Sequence, residues 1–358
     1  MTKTVVLRSG KINKDSPMQR RTLLSASLGL GALAGLAGTS EQWSHSAQSG
    51  PEANDGLLLH TGSGLAFGTT LTIKLLHTDA LAAQAAIADA LQEVRRVDAL
   101  MSLQQERSEV FQLNARGVVQ APDADLLQVL AFAQQLSMLT SGAFDITVQP
   151  LWRAFSLASA SGRLPAPTEI AAAKALVDWR CVVIDAQQVR LRKAGMAITL
   201  NGVAQGYAVD LALASLRRHG VQHALLDTGE FGSIGSKAHD QPWLLGVGHP
   251  RQHETLSATI KMDGRKVATS GDYEAFFSPD LVHHHIFDPA SGNSPLELAS
   301  ATVLAPTGIL ADGLSTAFMV MGTDRALALA SQIHDVDALL IDKNGKVRKT
   351  SSFPVVQT

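Results

Sequence analysis

The sequence predicts a globular fold that mixes helices and strands, and three observations carry that expectation. Apolar residues make up 46% of the 358 positions and charged residues 17%, which excludes a disordered or fibrous chain. Short strand signals alternate with longer helical ones along the sequence. The length suffices for one large domain or for two lobes around a sizeable core. No Gly-x-Gly-x-x-Gly follows a strand, and no Gly-x-x-x-x-Gly-Lys-Ser/Thr occurs, so neither a Rossmann site nor a P-loop is indicated.

The N-terminus bears on location. Residues 1–38 carry six Lys or Arg and one acid, leaving −7 on the remainder of a chain whose net charge is −2. That balance argues against a general nucleic-acid binder. Gln19-Arg20-Arg21-Thr22-Leu23-Leu24 precedes a Gly/Ala/Leu-rich run to Gly38, of about 16 residues, too short and too glycine-rich for a stable membrane span. A paired arginine, a following Leu-Leu and a weakly apolar run look like a twin-arginine export signal; the alternative is a basic tail before a buried helix. No cysteine follows the run, so a lipid anchor is not expected, and Cys181 is the only cysteine, which excludes an intramolecular disulfide. The expected organisation is a signal at 1–38, a polar linker at 39–58 and a functional domain at 59–358, working in the periplasm without a membrane span in its mature form.

Within the domain, a strand is expected over Thr69 to Leu76 and a helix over roughly Ala80 to Leu100, with Leu81, Ala85, Ala88, Leu91 and Val94 as its apolar stripe. Asp123 caps a second helix that Ser141-Gly142 stops near Leu139. Ala143-Phe144-Asp145 follows directly; it suits a cleft rim, or simply a strand start with a capping Asp. Strand signals recur at Cys181–Ile184 and Met196–Leu200. The latter leads into Asn201-Gly202-Val203-Ala204-Gln205-Gly206-Tyr207-Ala208-Val209-Asp210, which opens a helix to about Arg218. Its glycines allow either amide approach to an anion or close helix packing. Strands are expected at Ala224–Thr228, before Gly229-Glu230-Phe231-Gly232, and at Trp243–Val247. Lys266 to Tyr273 pairs hydroxyls with a turn glycine. His283, His284 and His285 are adjacent; neighbours in a strand point to opposite faces, so one of them as proton acceptor is more plausible than three as zinc ligands.

Ala301 to Gly322 organises the chain. It reads as a strand, a turn at Pro306 and Gly308, and a helix ended by Gly322. Asp312, Ser315 and Thr316 fall three and four residues apart, on one face of a helical turn. Hard oxygen ligands there suit a magnesium ion that holds a phosphate. A dipole-favoured Asp and two backbone-bonded hydroxyls would produce the same pattern.

Five segments in this order carry a resemblance: Ser-Gly-Ala-Phe-Asp-Ile-Thr-Val-Gln-Pro-Leu, Asn-Gly-Val-Ala-Gln-Gly-Tyr-Ala-Val-Asp, Ala-Thr-Ser-Gly-Asp-Tyr, His-His-Ile-Phe-Asp-Pro-Ala-Ser-Gly and Leu-Ala-Asp-Gly-Leu-Ser-Thr-Ala. Over roughly residues 60 to 345 the chain resembles the ApbE family, the magnesium-dependent FAD:protein FMN transferases. The asparagine–glutamine form of the second segment and the paired arginines look most like the exported branch linked to nitrous oxide reductase maturation.

The resemblance implies an α+β, T-fold-like domain of two lobes with FAD between them. Ala143, Phe144 and Asp145 would bind the flavin nucleotide, with Ile286 near it. Asp312, Ser315 and Thr316 would hold magnesium with the Gly202 carbonyl. Thr199 and Gln205 fall at two further FAD positions, where Asp and Lys or Glu are usual. Phe67 stands in place of a methionine, and Gln104 where an aromatic ring often packs on the flavin. The implied reaction is attack by a Thr or Ser hydroxyl of a partner protein on the FMN-side phosphorus of FAD, releasing AMP. His285 or His284 is the candidate proton acceptor. A water-using FAD pyrophosphatase and a flavin-binding protein without turnover are the alternatives.

Overall fold

The computed structural model describes residues 5–6, 56–237, 241–252 and 254–356. The twin-arginine stretch and nearly all of the linker lie outside the described residues. Val5–Val6 lies parallel to the strand Leu244–Gly248.

The frame is an eight-stranded sheet whose neighbouring strands are all antiparallel. From one edge to the other it runs Val347–Lys349, Asp337–Asp342, Leu298–Ala305, Lys266–Gly271, Phe231–Ile234, Ala224–Asp227, Thr69–His77 and Leu58–Ala66. Period-two alternation decides which side chains face which layer. Leu226, Ala268, Val303 and Leu340 point into the larger core, against the helices Ala80–Met101, Ala204–Arg218 and Gly308–Met321. Their sequence neighbours Leu225, Val267, Leu304 and Leu339 point the other way, onto Trp243, Leu245, Ile260 and Phe353, where Leu244–Gly248 pairs with Leu256–Lys261. Leu298–Ala305 is covered on both faces, and all eight of its residues are buried. A doubly covered strand has no solvent face and so shows no polar alternation.

The helix Ala80–Met101 begins at a firm cap: Asp79 Oδ1 accepts from the N–H groups of Leu81 and Ala82. Its buried stripe is Ala83, Ala86, Ile87, Ala90, Leu91, Val94, Val97 and Met101, which corrects the expected one. Leu81 is 77% exposed and Ala85 is also exposed. The face is set by branched side chains seated on strand glycines: a Cβ on Gly62 would strike Ile87, and one on Gly64 would lie 3.4 Å from Leu91. Close approach between helix and strand outweighs one large leucine in the first turn.

The helix Ala124–Leu139 starts at the Asp123 cap as expected, and Ser141 and Gly142 leave it with φ of 54° and 82°. Glu109–Arg116, closed by left-handed Gly117, is an additional helix. Met196–Leu200 is not a strand. Its amides find partners outside any sheet: Ile198 N–H donates to Asn114 Oδ1 (2.6 Å), Asn114 Nδ2 donates to the Ile198 carbonyl (2.8 Å), and Thr199 N–H donates to the Ile146 carbonyl (2.8 Å). An extended, apolar, buried segment need not pair edge to edge if other groups satisfy its backbone.

Candidate active site

The helix Gly308–Met321 leaves the central strand through Pro306 and Thr307, and Thr307 supplies no side-chain cap. Asp210, on the neighbouring helix, caps it instead. Its carboxylate accepts from Gly308 N–H (2.7 Å) and Ile309 N–H (3.1 Å). The charge that the helix dipole favours is therefore supplied by Asp210. Asp312 sits deeper, buried, and Oδ2 accepts from Gly206 N–H at 2.9 Å. The dipole explanation of Asp312 thus belongs to another residue.

Two glycines make this arrangement possible. A Cβ on Gly206 would collide with the carbonyl of Gly308 and stand 2.7 Å from Cβ of Asp312. A Cβ on Gly202 would stand 2.9 Å from Thr316 Oγ1 and 3.4 Å from the Phe144 ring. Gly202, Phe144 and Thr316 therefore meet at one point. Ser315 is fully buried; its Oγ donates to the Asp312 carbonyl (2.8 Å) and shares a hydrogen bond with Ser270 Oγ (2.8 Å). Ser270 Oγ also reaches Thr316 Oγ1 at 3.2 Å. Ser315 thus braces the turn from behind, while Thr316 is partly exposed.

Asp145 is buried and fully engaged. Oδ1 accepts from Thr147 N–H (2.7 Å) and Thr147 Oγ1 (2.6 Å), and Oδ2 accepts from Trp179 N–H (3.1 Å). Burial raises its pKa, against the pull of these bonds. Its carboxylate caps the 3-10 turn Ile146–Val148, the bland reading of the sequence. That cap fixes Ala143 and Phe144, and the Ile146 carbonyl in turn holds Thr199. Gln205 Nε2 donates to the Thr228 carbonyl (3.0 Å) and lies under left-handed Gly229, 2.8 Å from where a Cβ there would be.

Glu230, which the sequence reading left without a role, follows that glycine. It is buried, Oε2 has no hydrogen-bond partner, and burial together with the charges of Asp312 and Glu274 drives its pKa well up. Burial pushes Asp312 to about 7, with the charge of Glu274 adding to the rise. Among the described residues no Lys or Arg forms an ion pair with these three acids. A buried carboxylate needs a compensating charge or a proton. The orphaned Glu230 oxygen, the raised acids and the oxygen-only donors Asp312, Thr316 and Gly202 fit a hard divalent cation. Among the described residues, no group of three or more His, Cys, Asp or Glu converges to hold a metal, so any such ion must rely on hydroxyl and carbonyl donors.

The two candidate histidines differ. His284 is fully buried; Nε2 meets the Pro295 carbonyl (3.2 Å), Nδ1 has no partner, and burial lowers its pKa to about 4. The ring is therefore neutral at pH 7. His285 is partly exposed, and Nδ1 donates to the Ala275 carbonyl (3.1 Å), next to Glu274. That bond fixes the tautomer and turns Nε2 into an acceptor. Burial lowers its pKa too, which favours the neutral base form.

Three candidates stand apart from this contact network. Phe67 begins the two-residue hairpin turn between Leu58–Ala66 and Thr69–His77 with φ of 52°, unusual for a bulky side chain, and packs against the larger core. Gln104 is exposed on the loop after Met101 and bonds to Ser102. Ile286 is buried in the same core as Phe144.

The ApbE family profile matches residues 67–340, and the chain belongs to the ApbE family. A Haemophilus influenzae protein named FAD:protein FMN transferase is 32% identical over 309 residues, covering 81% of this chain and 89% of its own. A Klebsiella pneumoniae protein of the same name is 29% identical over 80% of this chain and 90% of its own. Among solved structures, the apo Pseudomonas stutzeri flavinyl transferase ApbE superposes with a TM-score of 0.73 at 30% identity, covering 82% of this chain and 95% of its own. The Thermotoga maritima ApbE protein gives 0.75 at 29%, covering 82% and 97%.

Proposed function

We propose that this protein transfers FMN from FAD to a threonine or serine hydroxyl of a partner protein and releases AMP. The observation that carries the reading is the joining of five separated segments by direct contacts. Gly202 meets Phe144 and Thr316, Gly206 binds Asp312, Ser270 bridges Ser315 and Thr316, and Gly292 lies against Leu151, 3.4 Å from where its Cβ would be. The names carried by relatives of near-equal length support the same reaction.

In the reaction, the acceptor hydroxyl oxygen forms a bond to the FMN-side phosphorus, the P–O bond to AMP breaks, and the hydroxyl proton passes to His285 Nε2. Asp312, Thr316 and the Gly202 carbonyl would hold magnesium, which neutralises charge on the phosphoryl oxygens and the leaving group. Ser315 and Ser270 keep Thr316 turned toward that point. Gly206 N–H keeps Asp312 in place. Asp145 fixes the backbone of Ala143 and Phe144 against the nucleotide. The paired Arg20-Arg21 signal supports a periplasmic site of action, with the acceptor in the periplasm or the inner membrane.

The test is a transfer assay with FAD, magnesium and a candidate acceptor. A covalently fluorescent acceptor and stoichiometric AMP are expected. FMN and AMP released equally fast without acceptor would instead make this a pyrophosphatase, and bound FAD that is never cleaved would leave only a flavin carrier.

A further inference from the structure

A second cleft, of about 550 Å3, shares no residue with the Asp312 cluster. Its walls carry Arg116, Arg153, Arg190 and Lys193, and Val118, Leu191 and Met196 supply apolar surface. No Asp or Glu lines it. Arg190 sits in the middle of a three-stranded sheet, opposite Val118 on one side and Val183 on the other. Arg153 projects from the helix Gln149–Ala160, and Arg116 ends the helix Glu109–Arg116. Three separate elements therefore bring arginines to the wall of one concavity.

Ordinary structural roles explain only part of this. Arg116 suits the negative end of its own helix, and Lys193 Nζ donates to the Ala175 carbonyl at 3.0 Å. Arg153 and Arg190 have no such account. Among the described residues neither forms an ion pair with a carboxylate; Asp185 feels the charge of Arg190 but lies beyond ion-pair reach. Arg116, Arg153 and Arg190 are all exposed, so their charges face the cleft and the solvent. Concentrated like charge costs stability unless something offsets it, and this chain is otherwise acidic.

We propose that this cleft binds a small phosphorylated anion of about nucleotide size, phosphate against the arginines and its organic part on Val118, Leu191 and Met196. The guanidinium fork matches phosphate geometry bidentately, and the volume falls within the usual range for small-molecule sites, roughly 300–1,000 Å3. Concavity favours a small molecule over an acidic protein surface, which would meet a flatter patch.

Calorimetry with inorganic pyrophosphate, without divalent cations, tests this on the purified protein. Binding is expected, with at least a tenfold weaker Kd in the Arg153→Ala/Arg190→Ala double variant, a smaller loss in Arg153→Lys/Arg190→Lys, which keeps the charge without the fork, and no change in Asp312→Ala. Equal affinity in the double alanine variant, or loss of binding in Asp312→Ala, would overturn the proposal. So would an Arg-dependent response to hexaglutamate but not to pyrophosphate, which would make the cleft a protein-docking patch. Hydrogen exchange on the wild type gives an answer free of mutation: pyrophosphate should protect residues 114–118 and 190–196, and no protection there would equally overturn it.

Discussion

Gly206 and Gly308 stand backbone against backbone: a Cβ on either would collide with the carbonyl oxygen of the other. This contact sets the distance between the helices Ala204–Arg218 and Gly308–Met321, and with it the bond from Gly206 N–H to Asp312. Gly206→Ala therefore forces backbone apart where no side chain can yield. Overpacking of this kind costs about 1–3 kcal/mol, and the upper end is expected here. Calorimetry should show a melting temperature lower by roughly 5–10 °C, with transfer activity lost in the protein that remains folded. An unchanged melting temperature would show that the helices separate freely.

Asp312 couples stability to pH and metal. Its folded pKa is raised from 3.8 to about 7, so between those values the native state holds a proton that the unfolded chain releases. Stability from this group is therefore present below pH 4 and falls as pH rises toward 7. A divalent cation held at Asp312 would substitute for the proton. In thermal denaturation, magnesium should raise the melting temperature more at pH 8 than at pH 5. Asp312→Asn should remove most of that difference and abolish transfer; full activity in this variant would refute the metal assignment.

The adjacent histidines should separate cleanly. His285→Asn is expected to lower transfer by roughly 10²–10⁴-fold with FAD affinity retained, as for loss of a general base. His284→Gln should leave transfer at pH 7 largely intact. The folded pKa of His284, lowered to about 4, means that wild-type stability is lost as pH falls from about 6.5 toward 4, and this variant should flatten that acid limb. Reversed effects of the two substitutions on activity would reassign the base.

Asp272 is fully buried behind the site, with Arg251 forming two 2.7 Å bonds to its oxygens and Lys343 3.5 Å away. Its backbone N–H donates to the Ala299 carbonyl, and Tyr273 and Glu274 follow. Arg251→Ala leaves the carboxylate buried with one distant cation. Breaking a buried pair from one side costs about 3–5 kcal/mol. Equilibrium urea unfolding should show a loss of at least about 2 kcal/mol, Lys343 offsetting the rest; a smaller loss would mean that Lys343 alone neutralises Asp272.

Much of this was legible in the sequence because it rests on local signals. The strand–turn–helix from Ala301 to Gly322, the Asp123 cap and the Ala204–Arg218 helix all announce themselves through caps, glycines and periodicity. The grouping of Asp312 with Gly202 follows only from the family resemblance, and the bond from Gly206 to Asp312 comes from the structure alone, since no local rule links positions 106 residues apart. Glu230 was overlooked because a lone acid after a glycine reads as a turn residue; its significance lies in burial beside Asp312. Met196–Leu200 misled for the opposite reason: five apolar-rich residues look like a strand whether a neighbouring strand or Asn114 satisfies their amides. His284 and His285 were indistinguishable as letters and differ only in what encloses each ring.

The bond between Gly206 and Asp312 also bears on when the site comes into being. Its two ends are separated by 106 residues, and the strand Thr69–His77 pairs with Ala224–Asp227 across a still longer span. Contacts this distant in sequence close late and make folding slow, because the intervening chain must be ordered first. A nascent chain ending before residue 308 contains Gly202, Gly206 and Phe144, but lacks the carboxylate and hydroxyls they meet. Until Gly308–Met321 docks, the Gly206 amide therefore has no Asp312 to bind and the cluster does not exist.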